Sequence, residues 1–250
     1  MDQRQSQASS TSEPYDGDFY ARQVAGSLSS ARRYLDHLFS FWRPERVVDL
    51  GCGRGAWLAV CGEHGVRELV GVDGGWVRQD MMLDPRIEFR QADLQAPLTP
   101  HADFDLVISL EVAEHLPACA SDRFVDTLAA HGGALLFGAA FTGQPGQHHV
   151  NTRPHSFWAR KFAERGFDLF DLFRPRFWAD EAVEPWYRQN TFLYVRKEHA
   201  LWRALQQAGQ RPIEDAGFVD CVHPWLYLGM MRALSRCQAL LAQRGGAGLE

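Results

Sequence analysis

The segment Val47-Val48-Asp49-Leu50-Gly51-Cys52-Gly53-Arg54-Gly55 constrains this chain more than any other. A short β-branched run, Arg46–Leu50, stops abruptly at alternating glycines, and a helix-forming stretch, 56–64, follows and is closed by Gly65. Near-continuous apolar runs of this length are what a strand buried on both faces requires, and glycines supply the turn and the close backbone approach that a ligand needs. In doubly wound sheets nucleosides bind at the end of the first parallel strand. Asp73 closes the next apolar run, 68–72, and stands 22 residues after Gly51, the separation at which an acidic side chain meets ribose hydroxyls.

The same alternation continues. Segments 87–92, 104–110 and 134–139 read as further strands, with helices at 121–130, opened by Ser121 as N-cap, and at 156–165, closed by Gly166. Segments 167–173 and 190–195 read as two late strands paired antiparallel as a hairpin. Helical periodicity precedes the first strand (19–41, with Ser27, Ser29 and Ser30 offering a break into two helices) and returns at 200–207 and 224–243. The expected architecture is α/β, a mostly parallel seven-stranded sheet with helices on both faces and helical additions at each end. Residues 1–16 read as a disordered tail, 17–197 as the ligand-binding α/β domain with its N-terminal helical segment, and 198–250 as a C-terminal helical extension. The apolar stripe of Leu228, Met231, Leu234, Cys237, Leu240 and Leu241 is expected to pack on the domain or on a partner subunit, which admits a homodimer.

Composition narrows the function classes. The chain has 250 residues, 46% hydrophobic and 23% charged, enough to bury a core as one domain without cross-links. Its net charge of −5 and lack of Lys/Arg runs argue against a nucleic-acid partner. Five cysteines without a Cys-x-x-Cys pair point to free thiols in a reducing compartment rather than to disulfides or zinc. With no leader-like apolar segment and no membrane-length run, the expectation is a cytoplasmic protein without a membrane partner.

Two ligand classes compete for the glycine turn. A dinucleotide site wants Gly-x-Gly-x-x-Gly, whereas the spacing here is Gly51, Gly53, Gly55, then Ala56. Asp49, two residues before the first glycine, would repel a pyrophosphate but suits a ligand carrying a sulfonium and an ammonium. The segment resembles the first motif of class I S-adenosylmethionine-dependent methyltransferases, and the resemblance extends over residues 45–140. Asp73 is similar to the family's ribose-binding acid, Ala92-Asp93-Leu94 to its adenine-contacting pair, and 104–116, through Leu110-Glu111-Val112-Ala113-Glu114-His115-Leu116, to its fourth-strand motif. Gly146-Gln147-His148-His149-Val150-Asn151, Trp158 and Trp186-Tyr187-Arg188-Gln189-Asn190 resemble a bacterial subgroup of such proteins.

The resemblance implies a Rossmann-like fold and S-adenosyl-L-methionine as cofactor. It implies Asp49, Gly51, Cys52, Gly53, Asp73, Gly74, Asp93, Leu94, Leu110 and Glu111 as its binding residues, with Trp76 flanking the adenine or serving structure, and Tyr20 and Gln23 closing the site from the N-terminal helix. In-line methyl transfer demands alignment and exclusion of water, and a base only where the nucleophile is protonated. His115, His149, Asn151 and Tyr187 are the catalytic candidates; His148 competes with His149, and each histidine also reads as a loop residue. Adjacent imidazoles at 148 and 149 make a poor chelate, and a metal there would need a carboxylate from elsewhere, so no metal site is expected. The fourth strand lacks an Asp/Asn-Pro-Pro-aromatic run and the chain lacks a Pro-Cys dipeptide, which removes the known base clamps of DNA methylation. A small-molecule acceptor is the expectation. The rival is a cyclase of the same fold that turns S-adenosylmethionine itself into methylthioadenosine and a four-membered imino acid (azetidine-2-carboxylate). Products separate the two readings, S-adenosylhomocysteine against methylthioadenosine. A non-catalytic binding subunit is the third reading.

Overall fold

The computed structural model describes residues 17–100 and 103–246, with backbone alone at 17–23 and 243–246. The expected tail at 1–16 lies outside the described residues.

Seven strands form one sheet in the order β3-β2-β1-β4-β5-β7-β6. They are β1 (Arg46–Leu50), β2 (Glu68–Asp73), β3 (Glu88–Gln91), β4 (Leu106–Leu110), β5 (Ala134–Gly138), β6 (Phe167–Phe170) and β7 (Thr191–Arg196). All pairs are parallel except those of β7, which runs antiparallel to both β5 and β6. The strand order reverses between β1 and β4. The connections leaving these two strands depart in opposite directions there and open a crevice at the carboxyl ends of the strands.

The period-two alternation of a strand divides the core in two. Val47 joins a layer with Tyr34, Leu35 and Leu38 of α1 (Gly17–Phe39), Leu58 and Val60 of α2 (Ala56–Glu63), and Leu201 and Leu205 of α7 (Ala200–Gln207). Val48 and Leu50 face the other layer, with Phe124 and Leu128 of α3 (Ser121–His131) and Trp158 and Phe162 of α4 (His155–Ala163). Asp49 therefore turns toward α1 and α2, on the side of Val47.

Several expectations are corrected. The N-terminal segment is one helix. Its serines tie it to a loop instead of breaking it: Ser29 Oγ donates to the Ala182 carbonyl at 2.7 Å, and Ser30 Oγ accepts the Glu184 N–H at 2.9 Å. Ser121 is the first residue of α3 rather than its cap, and its hydroxyl accepts from Asn151 Nδ2 at 3.0 Å. The two late strands do pair antiparallel, but two short helices, α5 (Arg174–Phe177) and α6 (Pro185–Asn190), separate them, so they are no hairpin. Pro175 and Pro185 open these helices at the position where a missing N–H is harmless. At the C-terminus α7 belongs to the core, whereas α8 (Pro224–Gly246) buries Leu226 and leaves Leu228, Met231, Leu234, Leu240 and Leu241 exposed, so the described residues do not cover that stripe. Among the described residues no helix is long and apolar enough to cross a membrane.

Candidate active site

The glycine turn after β1 is held by its backbone. The Gly51 and Cys52 N–H groups both donate to the Val72 carbonyl, at 2.7 and 3.2 Å. Gly51 takes φ +93°, and a Cβ there would stand 2.2 Å from Val112 Cγ2, so both conformation and space require glycine. Gly53 is also left-handed (φ +51°), but a Cβ there would meet nothing within 4 Å, which leaves its face open to a ligand.

The turn borders two adjoining cavities at the carboxyl edge of the sheet, of about 810 and 680 Å³. Asp73, Gly74, Asp93, Leu94 and His115 line the first. Asp49, Cys52, Trp57, Leu110 and Tyr187 line the second. Gly51, Trp76 and Glu111 border both, so the two form one groove across the switch point. Trp76 is 77% exposed and its ring lies over Gly74, where a Cβ would come within 2.2 Å of it. An indole left in water at a cavity mouth contributes nothing to the core and offers a face for stacking.

Each carboxylate of the groove has a different environment. Asp73 is buried; its Oδ2 accepts the Gly53 N–H at 2.8 Å and its Oδ1 the Gly74 N–H at 2.7 Å, leaving lone pairs on both oxygens. Asp93 accepts the Gln95 N–H at 2.9 Å through Oδ1 in a local turn and is otherwise exposed. Asp49 is buried and has no hydrogen-bond partner among the described residues; burial, and then the nearby Asp73, push its carboxyl well above the usual range. Glu111 adopts a left-handed backbone (φ 57°). Its carboxylate accepts from Asn190 Nδ2 at 2.8 Å and from Gln144 Nε2 at 3.2 Å. Burial raises it to about 7, against those hydrogen bonds.

The structure brings Asp49, Gly51, Cys52, Gly53, Asp73, Gly74, Asp93, Leu94, Leu110 and Glu111 to the one groove, with His115 at the rim and Tyr187 in the wall. Within that set the Cys52 side chain packs toward Gly71, and burial raises its thiol, so its part in the wall is inert. The Tyr187 hydroxyl lies 3.2 Å from Ser27 Oγ and accepts from Trp57 Nε1 at 3.4 Å; burial raises it as well. Asn151 is elsewhere. It is buried, donates to the Ala113 carbonyl and to Ser121, and accepts from Arg153 Nε, so its amide is spent on the loop and it lines neither cavity. The side chains of Tyr20 and Gln23 lie outside the described residues, although Val24 and Ser27, the next turn of α1, reach the second cavity. His149 borders neither cavity but packs edge-on to His115, ring centroids 5.0 Å apart.

Sequence reasoning missed Gln144, Trp57 and the contribution of Asn190. Gln144 and Asn190 hold Glu111 and each other, with Asn190 Nδ2 donating to Gln144 Oε1 at 3.0 Å. They come from the loop after β5 and from the end of α6, which only the chain's path brings together.

A switch-point groove whose acids line up along a glycine turn defines the class to which the chain is assigned. Residues 20–215 match the family model described as a methyltransferase domain, and the chain belongs to that family. Among solved structures it is similar to the magnesium protoporphyrin IX methyltransferase of Synechocystis, solved with bound SAH (17% identity, TM-score 0.52, covering 74% of this chain and 90% of that one). It is likewise similar to the sugar N-methyltransferase KedS8 of Streptoalloteichus (16% identity, TM-score 0.55, covering 79% and 99%). At such identities the likeness is one of fold. No curated protein matches the sequence significantly.

Proposed function

We propose that this methyltransferase uses S-adenosylmethionine and acts on a small-molecule acceptor. The observation that carries the reading is Asp49, a buried carboxylate with no partner among the described residues, in the wall of the groove. A buried unpaired carboxylate is costly, and a ligand cation offsets that cost. The other residues fit the remainder of the same molecule. Asp73 keeps one lone pair per oxygen for the two ribose hydroxyls. Asp93 keeps Oδ2 for an adenine amino group, with Leu94 and the exposed Trp76 ring as apolar faces. Gly53 leaves its backbone open to the chain of the ligand, and Gly51, closed over by Val112, shapes the turn beside it.

When bound, S-adenosylmethionine supplies an electrophilic methyl group on a cationic sulfur, open to in-line displacement by an acceptor lone pair. The protein's part is alignment and drying. Trp57, Trp186 and Tyr187 form an aromatic wall beside Asp49, and their faces suit a cationic sulfur. Glu111, pinned by Asn190 and Gln144, stands where the two halves of the groove meet. The net charge of −5 supports an uncharged or cationic acceptor over a polyanion.

The test is product analysis. The full chain is incubated with S-adenosylmethionine and pooled small hydroxyl and amine acceptors, and nucleosides are read by mass spectrometry. S-adenosylhomocysteine formed in step with a methylated acceptor is the expected result. Methylthioadenosine released from S-adenosylmethionine alone, above the uncatalysed rate, would overturn the reading in favour of cyclisation.

A further inference from the structure

Beside the groove, two loops converge. One is the single helical turn after β4 that carries Glu114 and His115; the other is the 148–151 segment after β5. They are clamped by the Glu114 carbonyl, which accepts the N–H groups of Val150 at 2.9 Å and Asn151 at 3.0 Å. Asn151 Nδ2 adds a bond to the Ala113 carbonyl at 3.3 Å.

The Glu114 side chain is the anomaly. It is 0% exposed, and neither carboxylate oxygen has a hydrogen-bond partner among the described residues. Orphaned buried acceptors are rare and cost several kcal/mol when charged, about the scale set by the transfer of a polar group out of water. One oxygen of Glu114 and one ring nitrogen each of His115 and His149 lie within 4.8 Å of one another. The His149 ring is already oriented: Nδ1 lies 3.1 Å from the Gln144 carbonyl. Donation there fixes the tautomer and leaves Nε2 with a free lone pair, the arrangement found behind most metal-binding imidazoles. Glu111, held by Asn190 and Gln144, lies beside Glu114.

We infer that Glu114, His115 and His149 bind a divalent first-row transition-metal ion at the rim of the groove. The donor set selects the ion class. Two imidazoles and one carboxylate suit zinc, cobalt, manganese or iron(II), whereas magnesium and calcium prefer oxygen-only shells. Ligand atoms about 2.0–2.2 Å from a common ion stand roughly 3–3.5 Å apart, so the three close by about an ångström on binding. His115 is exposed and His149 half-buried, and rotation of their rings supplies that movement. The carboxylate that adjacent histidines at 148 and 149 lacked in the sequence comes from Glu114, and the second imidazole from His115 instead of His148. Three protein ligands leave a position for water or for an oxygen donor. That this position holds an acceptor oxygen rests on the methyl-transfer reading; the site itself does not.

The full chain, stripped with chelator, is titrated with Co²⁺ alone and followed by visible absorption and calorimetry. One equivalent per chain, with a ligand-field band, is expected. His115→Ala, His149→Ala and Glu114→Gln should each weaken binding by about 10-fold or more. His148→Asn, which tolerates the left-handed backbone at 148 (φ 57°), should leave it unchanged. Sub-stoichiometric binding, or unaltered affinity in both His115→Ala and His149→Ala, would overturn the site and leave Glu114 a buried acid paired with Glu111. S-adenosylmethionine titrations of the same metal-free proteins separate the two proposals. Retained cofactor affinity without Co²⁺ binding sinks the metal site alone, and Co²⁺ binding without cofactor affinity sinks only the methyl-transfer reading.

Discussion

On the proposed cofactor reading, Asp49 is a single residue that trades stability against binding. It occupies a strand position that would normally be apolar, and its carboxyl is pushed upward by burial and by Asp73. Asp49→Asn should therefore raise the melting temperature of the ligand-free protein while weakening S-adenosylmethionine binding by about 10- to 100-fold, or about 1.4–2.8 kcal/mol. Scanning fluorimetry and calorimetry on the one variant read both effects. The two glycines of the turn separate in the same way. Gly51→Ala drives a Cβ into Val112 at a left-handed φ and should cost about 2–4 kcal/mol of stability, the sum of overpacking and strain. Gly53→Ala meets no atom of the described residues and should cost only about 1 kcal/mol of strain in urea denaturation; on the proposed cofactor reading its Cβ enters the ligand's space, so cofactor affinity should fall.

At the scale of elements, the groove is built by loops that hold one another. The turn after β4 and the segment after β5 share the Asn151 amide, which satisfies a carbonyl and a hydroxyl and accepts from Arg153. Asn151→Ala leaves buried groups unpaired and should cost about 2–4 kcal/mol in urea unfolding, since each orphaned partner costs about 1–3 kcal/mol. Cofactor affinity of the folded variant should change by less than about twofold, because Asn151 touches neither cavity. Asn151 in the sequence reads as a ligand-facing polar group; the structure makes it a fastener. The same lesson holds for α1, whose serines look like a helix break and instead anchor the loop that leads into α6. A hydroxyl's partner can be local or distant, and local spacing does not distinguish them.

At the scale of the whole molecule, the antiparallel end of the sheet is locked around His155. It is buried between Phe141 and Phe192, and its Nε2 lies 3.1 Å from Gln189 Nε2 of α6, which places the acceptor lone pair toward the amide. Burial, and then Arg174, lower it from 6.5 to about 3. A histidine depressed in the folded state excludes a proton that the unfolded chain takes up. Its stabilisation is full above pH 6.5 and is lost as pH falls toward 3. Stability should thus decline below pH 6.5 by about 1.4 kcal/mol per unit from this group, and His155→Gln should flatten the slope by about one proton in urea titrations at stepped pH. The seven strand segments, the glycine turn and the positions of Asp49, Asp73 and Asp93 in or just after the strands were legible in the residues, because each is written in contiguous patterns (β-branched runs, glycine spacing, an acid near a strand end), whereas the order of the strands in the sheet was not. Those patterns are local, and local propensity with burial on both faces of a parallel strand leaves one architecture for them. The short helices α5 and α6, the Gln144–Asn190 hold on Glu111, and the meeting of Glu114 with His115 and His149 were decided only by the tertiary structure. Their partners lie far apart in the chain, and they meet because crossover connections deliver the ends of separate strands to one edge of the sheet.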